Sequence, residues 1–312
     1  MCKRRESSFL TYLFQMDKKL LHGAHTALIT PMKDGSVSYT DLERLVNAQL
    51  SSGISGLVPC GTTGESPTLS DEEHLQVIKN TVEIVDGKIP VIAGTGANST
   101  KEALELTKKA DQAGADAFLL VAPYYNKPSQ EGLIAHFSVL AESTEKPIIL
   151  YSIPSRCGIE ISTNTIARLY QKYPNICALK EAGGRSSKVS ESVCSLDSDF
   201  TVLSGDDGLT LPFMACGAKG VISVASNIIP NEVSQLVELA IKDNYKQARE
   251  IHAKNYSFFC DIFMEPNPVP IKTLLQLKGI IQSAEVRLPL TPPTASNFEL
   301  LKEIAHNLEL KI

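Results

Sequence analysis

"ICALKEAGG" (176–184) opens as an apolar strand and ends in a charged pair before two glycines. Ile176, Cys177, Ala178 and Leu179 run without polar interruption, the pattern of a strand covered on both faces. Lys180 and Glu181 then stand at its carboxyl end. A lysine in that place is either a snorkelling or paired side chain or a group that a site needs. The rest of the chain decides between these readings.

Seven further stretches of the same kind flank this one: "HTALITP" (25–31), "GLVPCG" (56–61), "PVIAGT" (90–95), "AFLLVAP" (117–123), "PIILYSIP" (147–154), "FTVLSGDD" (200–207) and "GVISVAS" (220–226). Their starts lie about 20 to 34 residues apart, the spacing of repeated strand–loop–helix units. The segments between them carry helical patterns. In "SDEEHLQVIKNTVEIV", Ser70 with Glu73 three residues later predicts a capping box. Ser99 or Thr100 caps the next helix, and Gly87 and Gly114 stand where the two helices should stop. Eight such units predict an α/β fold, a (β/α)8 TIM barrel, over residues 20–243. A doubly wound dinucleotide-binding sheet is the alternative, but no G-x-G-x-x-G follows the first strand. The helix at about 231–243 closes the barrel, and residues 244–312 form a C-terminal helical extension turned by "EPNPVP" (265–270). Residues 1–19 read as a disordered N-terminal extension: the apolar run is short and lacks a small-residue cleavage site, and Met16 is a second candidate start.

Composition narrows the function. The chain has 312 residues, 43% of them hydrophobic, and a net charge of −5 with both signs interspersed. That balance gives no footing for nucleic acid or a membrane surface, and no run reaches the roughly 18 apolar residues of a membrane span. Seven cysteines without a C-x-x-C pair and six histidines without metal-ligand spacing predict a cytoplasmic protein with no disulfide framework, metal or cofactor.

In a barrel of this kind the site sits at the carboxyl ends of the strands. There the sequence places "GTTGES" (61–66), "PYYNKPS" (123–129), "YSIPSRCG" (151–158), Lys180, "SGDD" (204–207) and "ISVAS" (222–226). "GTTGES" lacks the Lys-Ser/Thr ending of a phosphate loop; it is either an anion-binding turn presenting the Thr62 and Thr63 amides or a plain connection. Tyr151 is either a core aromatic or a hydroxyl at the barrel mouth. Arg156 is either a solvated side chain or a fork for a carboxylate. Together these groups suit imine chemistry. A desolvated lysine amine condenses with a keto acid, and hydroxyls move the protons.

The ordered set "GTTGES", "AGTGAN", "PYYNKPSQEG", "YSIPSRCG", "LKEAGG", "LSGDD", "GVISV" and "EPNPVPIK" resembles the dihydrodipicolinate synthase family, within the pyruvate-dependent class I aldolases and lyases, from Gly23 to the C-terminus. The resemblance implies a lyase that condenses pyruvate with L-aspartate 4-semialdehyde toward diaminopimelate and lysine. It implies Lys180 as the Schiff-base lysine, with Thr62, Tyr151 and Tyr125 as a proton relay, Tyr125 entering the site of a neighbouring subunit. It also implies a pyruvate carboxylate site at Thr62 and Thr63, the semialdehyde carboxylate on Arg156, and Gly205 and Ile222 lining the pocket. Members are commonly homotetramers, dimers of dimers, and many are inhibited by lysine at positions that match Ser66, His74, Asn98, Glu102 and Tyr124 here. Pro67 and Asp71 depart from the pattern of lysine-sensitive members, and Ser152 and Gly183 are smaller departures. The alternatives are an N-acetylneuraminate lyase or keto-deoxy-sugar aldolase of the same superfamily, and a non-catalytic barrel that senses lysine or pyruvate. The second threonine of "GTTGE" and Arg156 favour the synthase over the sugar lyases, and Lys180 with the relay hydroxyls disfavours the sensor.

Overall fold

The computed structural model describes residues 20–310, so the expected N-terminal extension, residues 1–19, lies outside the described residues. Eight strands form one parallel sheet: β1 (Gly23–Ala27), β4 (Gly56–Val58), β5 (Ile92–Gly94), β6 (Ala117–Val121), β7 (Ile148–Ser152), β8 (Ile176–Glu181), β9 (Thr201–Ser204) and β10 (Gly220–Ser223). The sheet order runs β4-β1-β10-β9-β8-β7-β6-β5. A parallel bridge from Leu57 to Val91 joins its two ends, which makes it a closed barrel. All eight predicted strands are present, each shorter than its apolar run because the polar ends turn into loops. Two short strands, β2 (Met32–Lys33) and β3 (Ser36–Val37), form a hairpin that the periodicity did not reveal. Its signal was the Asp34-Gly35 pair, both at positive φ as a tight hairpin turn requires.

Alternation along the strands sorts side chains between two layers. Ile149 and Tyr151 on β7 and Ala178 on β8 belong to the barrel's inner cluster, with Leu119 and Ile222. Leu150 and Leu179, one residue out of phase, join the larger layer between strands and helices. Lys180 follows Ala178 by two positions, so the same alternation turns it into the barrel. The register of β7 on β8 sets Tyr151 directly beside Lys180.

The helices follow their capping signals. Ser70 and Glu73 form a reciprocal capping box at the start of the helix Asp71–Val85. Ser99, rather than Thr100, caps the helix Thr100–Gln112. The eighth barrel helix is Pro230–Ile241, close to the expected span. Three more helices follow, Tyr245–Asp261, Val269–Leu277 and Ala295–Asn307. No helix among the described residues is long and apolar enough to cross a membrane.

Candidate active site

A cavity of about 210 Å³ opens where the strands end, lined in part by Thr62, Ser66, Tyr124, Tyr151 and Arg156. Lys180 lies behind this wall, only 6% exposed. Its Nζ sits 4.2 Å from the centroid of the Tyr151 ring. An aromatic face favours a cation electrostatically, yet desolvation dominates here and brings the pKa of Lys180 down to about 7. The Asp207 carboxylate works against that fall, and the Arg156 guanidinium adds to it. The amine is therefore substantially neutral near neutral pH, as a nucleophile must be.

Tyr151 is buried, which pushes its hydroxyl up to about 12, while the Arg156 charge and a hydrogen bond with Thr62 pull it back. Lys180, Tyr151 and Thr62 are thus contiguous: an amine over a phenol whose hydroxyl bonds a threonine. Thr63 is buried and is not among the residues lining the cavity, and its Oγ1 accepts from Asn267 Nδ2 at 2.9 Å. Gly205 meets a spatial demand, because a Cβ there would stand 3.1 Å from Lys180 Cε and 2.7 Å from Ala182 Cβ. Ile222 is buried in the inner cluster.

Tyr125 is the exception among the expected relay residues. It is 90% exposed at φ 71, on the loop between β6 and the helix Gln130–Ala141, and the cavity of its own chain is built without it. Of the positions matched to lysine binding, Ser66 and Tyr124 line the same cavity as the reaction groups. Burial and the Glu102 charge push the Tyr124 hydroxyl up, while a bond with the Asn98 backbone draws it down. Those interactions bring Asn98, Glu102 and Tyr124 together. His74 is buried behind them, held neutral by desolvation with a pKa of about 4 and bonded to the Gly94 backbone.

Sequence reading assigned nothing to Asp207, the last residue of "LSGDD". It is buried and accepts hydrogen bonds from Ser223 Oγ, the Val224 amide at 3.0 Å and the Ala225 amide at 3.1 Å. Burial raises its pKa to about 6 and the three donors oppose that rise. The group is a fixed anion near Lys180, and its signal was an acid three residues beyond a strand end. The sequence also gave no role to Glu65 or Lys272, whose ammonium and carboxylate meet at 2.5 Å with both side chains essentially unexposed. Among the described residues no three His, Cys, Asp or Glu side chains cluster as a metal site would need.

The sequence profile of the dihydrodipicolinate synthetase family matches residues 20–308. The chain belongs to this family. It is 51% identical over 285 residues to the 4-hydroxy-tetrahydrodipicolinate synthase of Sulfurihydrogenibium sp. (strain YO3AOP1), covering 91% of this chain and 97% of that protein. The crystal structure of dihydrodipicolinate synthase from Aquifex aeolicus superposes with a TM-score of 0.92 at 46% identity, over 94% of this chain and 99% of that one. Three other solved relatives bear on function. The Acinetobacter baumannii enzyme, 43% identical, is complexed with pyruvate (TM-score 0.90, 93% and 99% covered). The Cyanidioschyzon merolae enzyme, 38% identical, has lysine bound (TM-score 0.90, 93% and 99% covered). A monomeric dihydrodipicolinate synthase variant is 40% identical (TM-score 0.91, 94% and 98% covered).

Burying an amine with a lowered pKa has a consequence for stability. In the unfolded chain Lys180 keeps its proton up to the ordinary value of 10.5, whereas in the fold it releases it near 7. Between those limits the unfolded state binds more protons, so stability rises with pH across the window. The cost is largest below about pH 7 and fades toward pH 10. Each pKa unit corresponds to about 1.4 kcal/mol. Lys180→Met is therefore expected to stabilise the fold, by roughly 2 kcal/mol or more at pH 7, with the gain shrinking by pH 10. Urea unfolding at both pH values checks this; no gain, or one that grows with pH, contradicts it.

Proposed function

We propose that this chain is a lyase that condenses pyruvate with L-aspartate 4-semialdehyde through an imine on Lys180, the 4-hydroxy-tetrahydrodipicolinate synthase reaction. The observation that carries the proposal is the desolvated Lys180 amine over Tyr151, whose hydroxyl is bonded to Thr62. The amine nitrogen attacks the keto carbon of pyruvate and water leaves, giving an iminium. Loss of a proton from the adjacent methyl carbon gives an enamine, which attacks the aldehyde carbon of the semialdehyde. The amino group of that substrate then displaces Lys180 from the imine carbon, closing the ring and regenerating the free amine. Tyr151 and Thr62 carry protons to and from the departing oxygen and the attacking nitrogen.

In this reading the Thr62 and Thr63 amides hold the pyruvate carboxylate, and Gly205 and Ile222 shape the space around the imine. Arg156, on the cavity wall, receives the semialdehyde carboxylate through its planar fork. The relatives support the synthase rather than the N-acetylneuraminate lyase or keto-deoxy-sugar aldolase alternative, and the pyruvate complex of the Acinetobacter baumannii enzyme supports the first substrate. The proposal needs no cofactor. It also includes a cytoplasmic location and a division of the chain after residue 243 into barrel and helical extension. A coupled assay with pyruvate and aspartate semialdehyde, run beside N-acetylneuraminate cleavage, is expected to show turnover only in the first. In that assay Arg156→Ala should raise the semialdehyde KM roughly tenfold or more, with the pyruvate KM within about twofold. Equal changes in the two constants would remove the assigned role.

We further infer a homotetramer, a dimer of dimers in which Tyr125 completes the relay of the neighbouring subunit. A monomeric relative shows that members of the family need not assemble. In this chain the argument is Tyr125 itself, a large aromatic held outside its own cavity by a left-handed backbone. Mixing two inactive variants, Tyr125→Phe and Lys180→Met, after joint refolding should restore activity. Hybrids then hold one site with an intact lysine and a tyrosine lent by the other subunit. No recovery in verified hybrids would show that Tyr125 serves its own chain or none.

Lysine is the proposed feedback inhibitor, bound by Ser66, His74, Asn98, Glu102 and Tyr124. The convergence of Asn98, Glu102 and Tyr124 and the lysine-bound Cyanidioschyzon merolae relative support this. The shared cavity wall of Ser66 and Tyr124 would carry the effect to the reaction groups. Lysine should inhibit the parent protein, and Glu102→Ala should weaken that inhibition about tenfold or more. Superimposable inhibition curves would exclude the site.

A further inference from the structure

Within itself, the loop 61–68 that carries Thr62 and Thr63 makes only local turns. Its internal backbone bonds are Gly64 N to Gly61 O at 3.1 Å, Glu65 N to Thr62 O at 3.1 Å, Ser66 N to Gly61 O at 3.4 Å and Thr68 N to Glu65 O at 3.0 Å. Glu65 adopts φ 55, a left-handed conformation that a non-glycine residue keeps only under outside constraint.

That constraint comes from residues more than 200 positions away. Lys272, on the helix Val269–Leu277, donates to Glu65 Oε1 at 2.5 Å and to the Glu285 carbonyl at 2.7 Å. The Arg287 amide donates to Glu65 Oε2 at 3.0 Å. Both carboxylate oxygens are thus engaged, which fixes the rotation of the side chain and the backbone that bears it. The Arg287 guanidinium reaches Glu73 with two bonds of 2.6 Å and the Thr68 carbonyl at 2.8 Å, so it grips the far end of the same loop. Asn267 Nδ2 holds Thr63 Oγ1 at 2.9 Å, and Thr30 Oγ1 holds the Gly64 carbonyl at 2.7 Å.

We propose that the buried Glu65–Lys272 pair, with Asn267, is the positioning device that sets the Thr62 and Thr63 amides for the keto-acid carboxylate. The C-terminal extension is then part of the substrate-binding apparatus. This rests on the carboxylate-binding role given to those amides above. A well-packed apolar pair of similar volume would hold two elements together at least as well as an ion pair. What the ion pair adds is direction: each bond has one geometry, and together they leave the loop one conformation. Glu65, Lys272 and Asn267 act through the threonines and touch no reacting atom.

The test uses Lys272→Met and Asn267→Ala in the full chain, with both Michaelis constants and kcat measured. Both variants are expected to raise the pyruvate KM about tenfold, with the semialdehyde KM within about twofold and kcat changed less than the pyruvate KM. Asn267→Ala removes one hydrogen bond and no charge, so it decides the question alone if Lys272→Met does not fold. A pyruvate KM unchanged within about twofold, or both KM values rising together, overturns the proposal and makes the contacts purely structural. Borohydride reduction of each variant at saturating pyruvate should still label Lys180. An unlabelled parent protein would instead overturn the imine mechanism, so the two failures are distinct.

Discussion

The site depends on the removal of one ammonium group from water. Lys180 is enclosed by the barrel interior and the Tyr151 ring, and the resulting desolvation is the largest influence on its charge. Asp207 restrains the effect: a buried anion nearby keeps the amine from being discharged so far that it could never take up a proton. The result is a pKa of about 7, where near neutral pH an amine can act as nucleophile and then as protonated leaving group. Neither burial alone nor the carboxylate alone would place it there.

The barrel supplies this arrangement through register. β7 and β8 are neighbours with Tyr151 opposite Lys180, and β8 pairs with β9 so that Lys180 stands opposite Leu203, two residues before Gly205. The missing side chain at 205 leaves room for the lysine stem. Asp207 then ties the loop after β9 to the turn after β10 through Ser223, Val224 and Ala225. The groups around Lys180 are thus assembled from strand ends that are far apart in the chain. The loop after β4 is held from the opposite side, by the C-terminal extension.

The fold was legible because its signals are local. Recurrent apolar runs about 20 to 34 residues apart gave eight strands, and Ser70 with Glu73 gave a helix start that the structure reproduces. The β2–β3 hairpin escaped because two-residue strands carry no periodicity. At the site, Lys180 could be singled out because a charge at the end of an apolar run is conspicuous. Glu65 and Lys272 could not, since their meaning lies in a contact across 207 residues and each looks like an ordinary charged residue in its own neighbourhood. Asp207 was hidden differently: nothing in the sequence separates it from its neighbour Asp206, and only the structure shows that Asp207 is buried. Tyr125 was legible as a residue type, while its exposure in the single chain could not be read from the sequence.

The central claim is the neutral amine, and the pH dependence of its reaction with pyruvate tests that claim most directly. With pyruvate below saturation, the rate of borohydride trapping on Lys180 measures the neutral fraction of the side chain. The account predicts a rise of about tenfold per pH unit below 7 and a plateau above it. A rate that keeps climbing through pH 9 would mean an ordinary solvated lysine and would contradict the account.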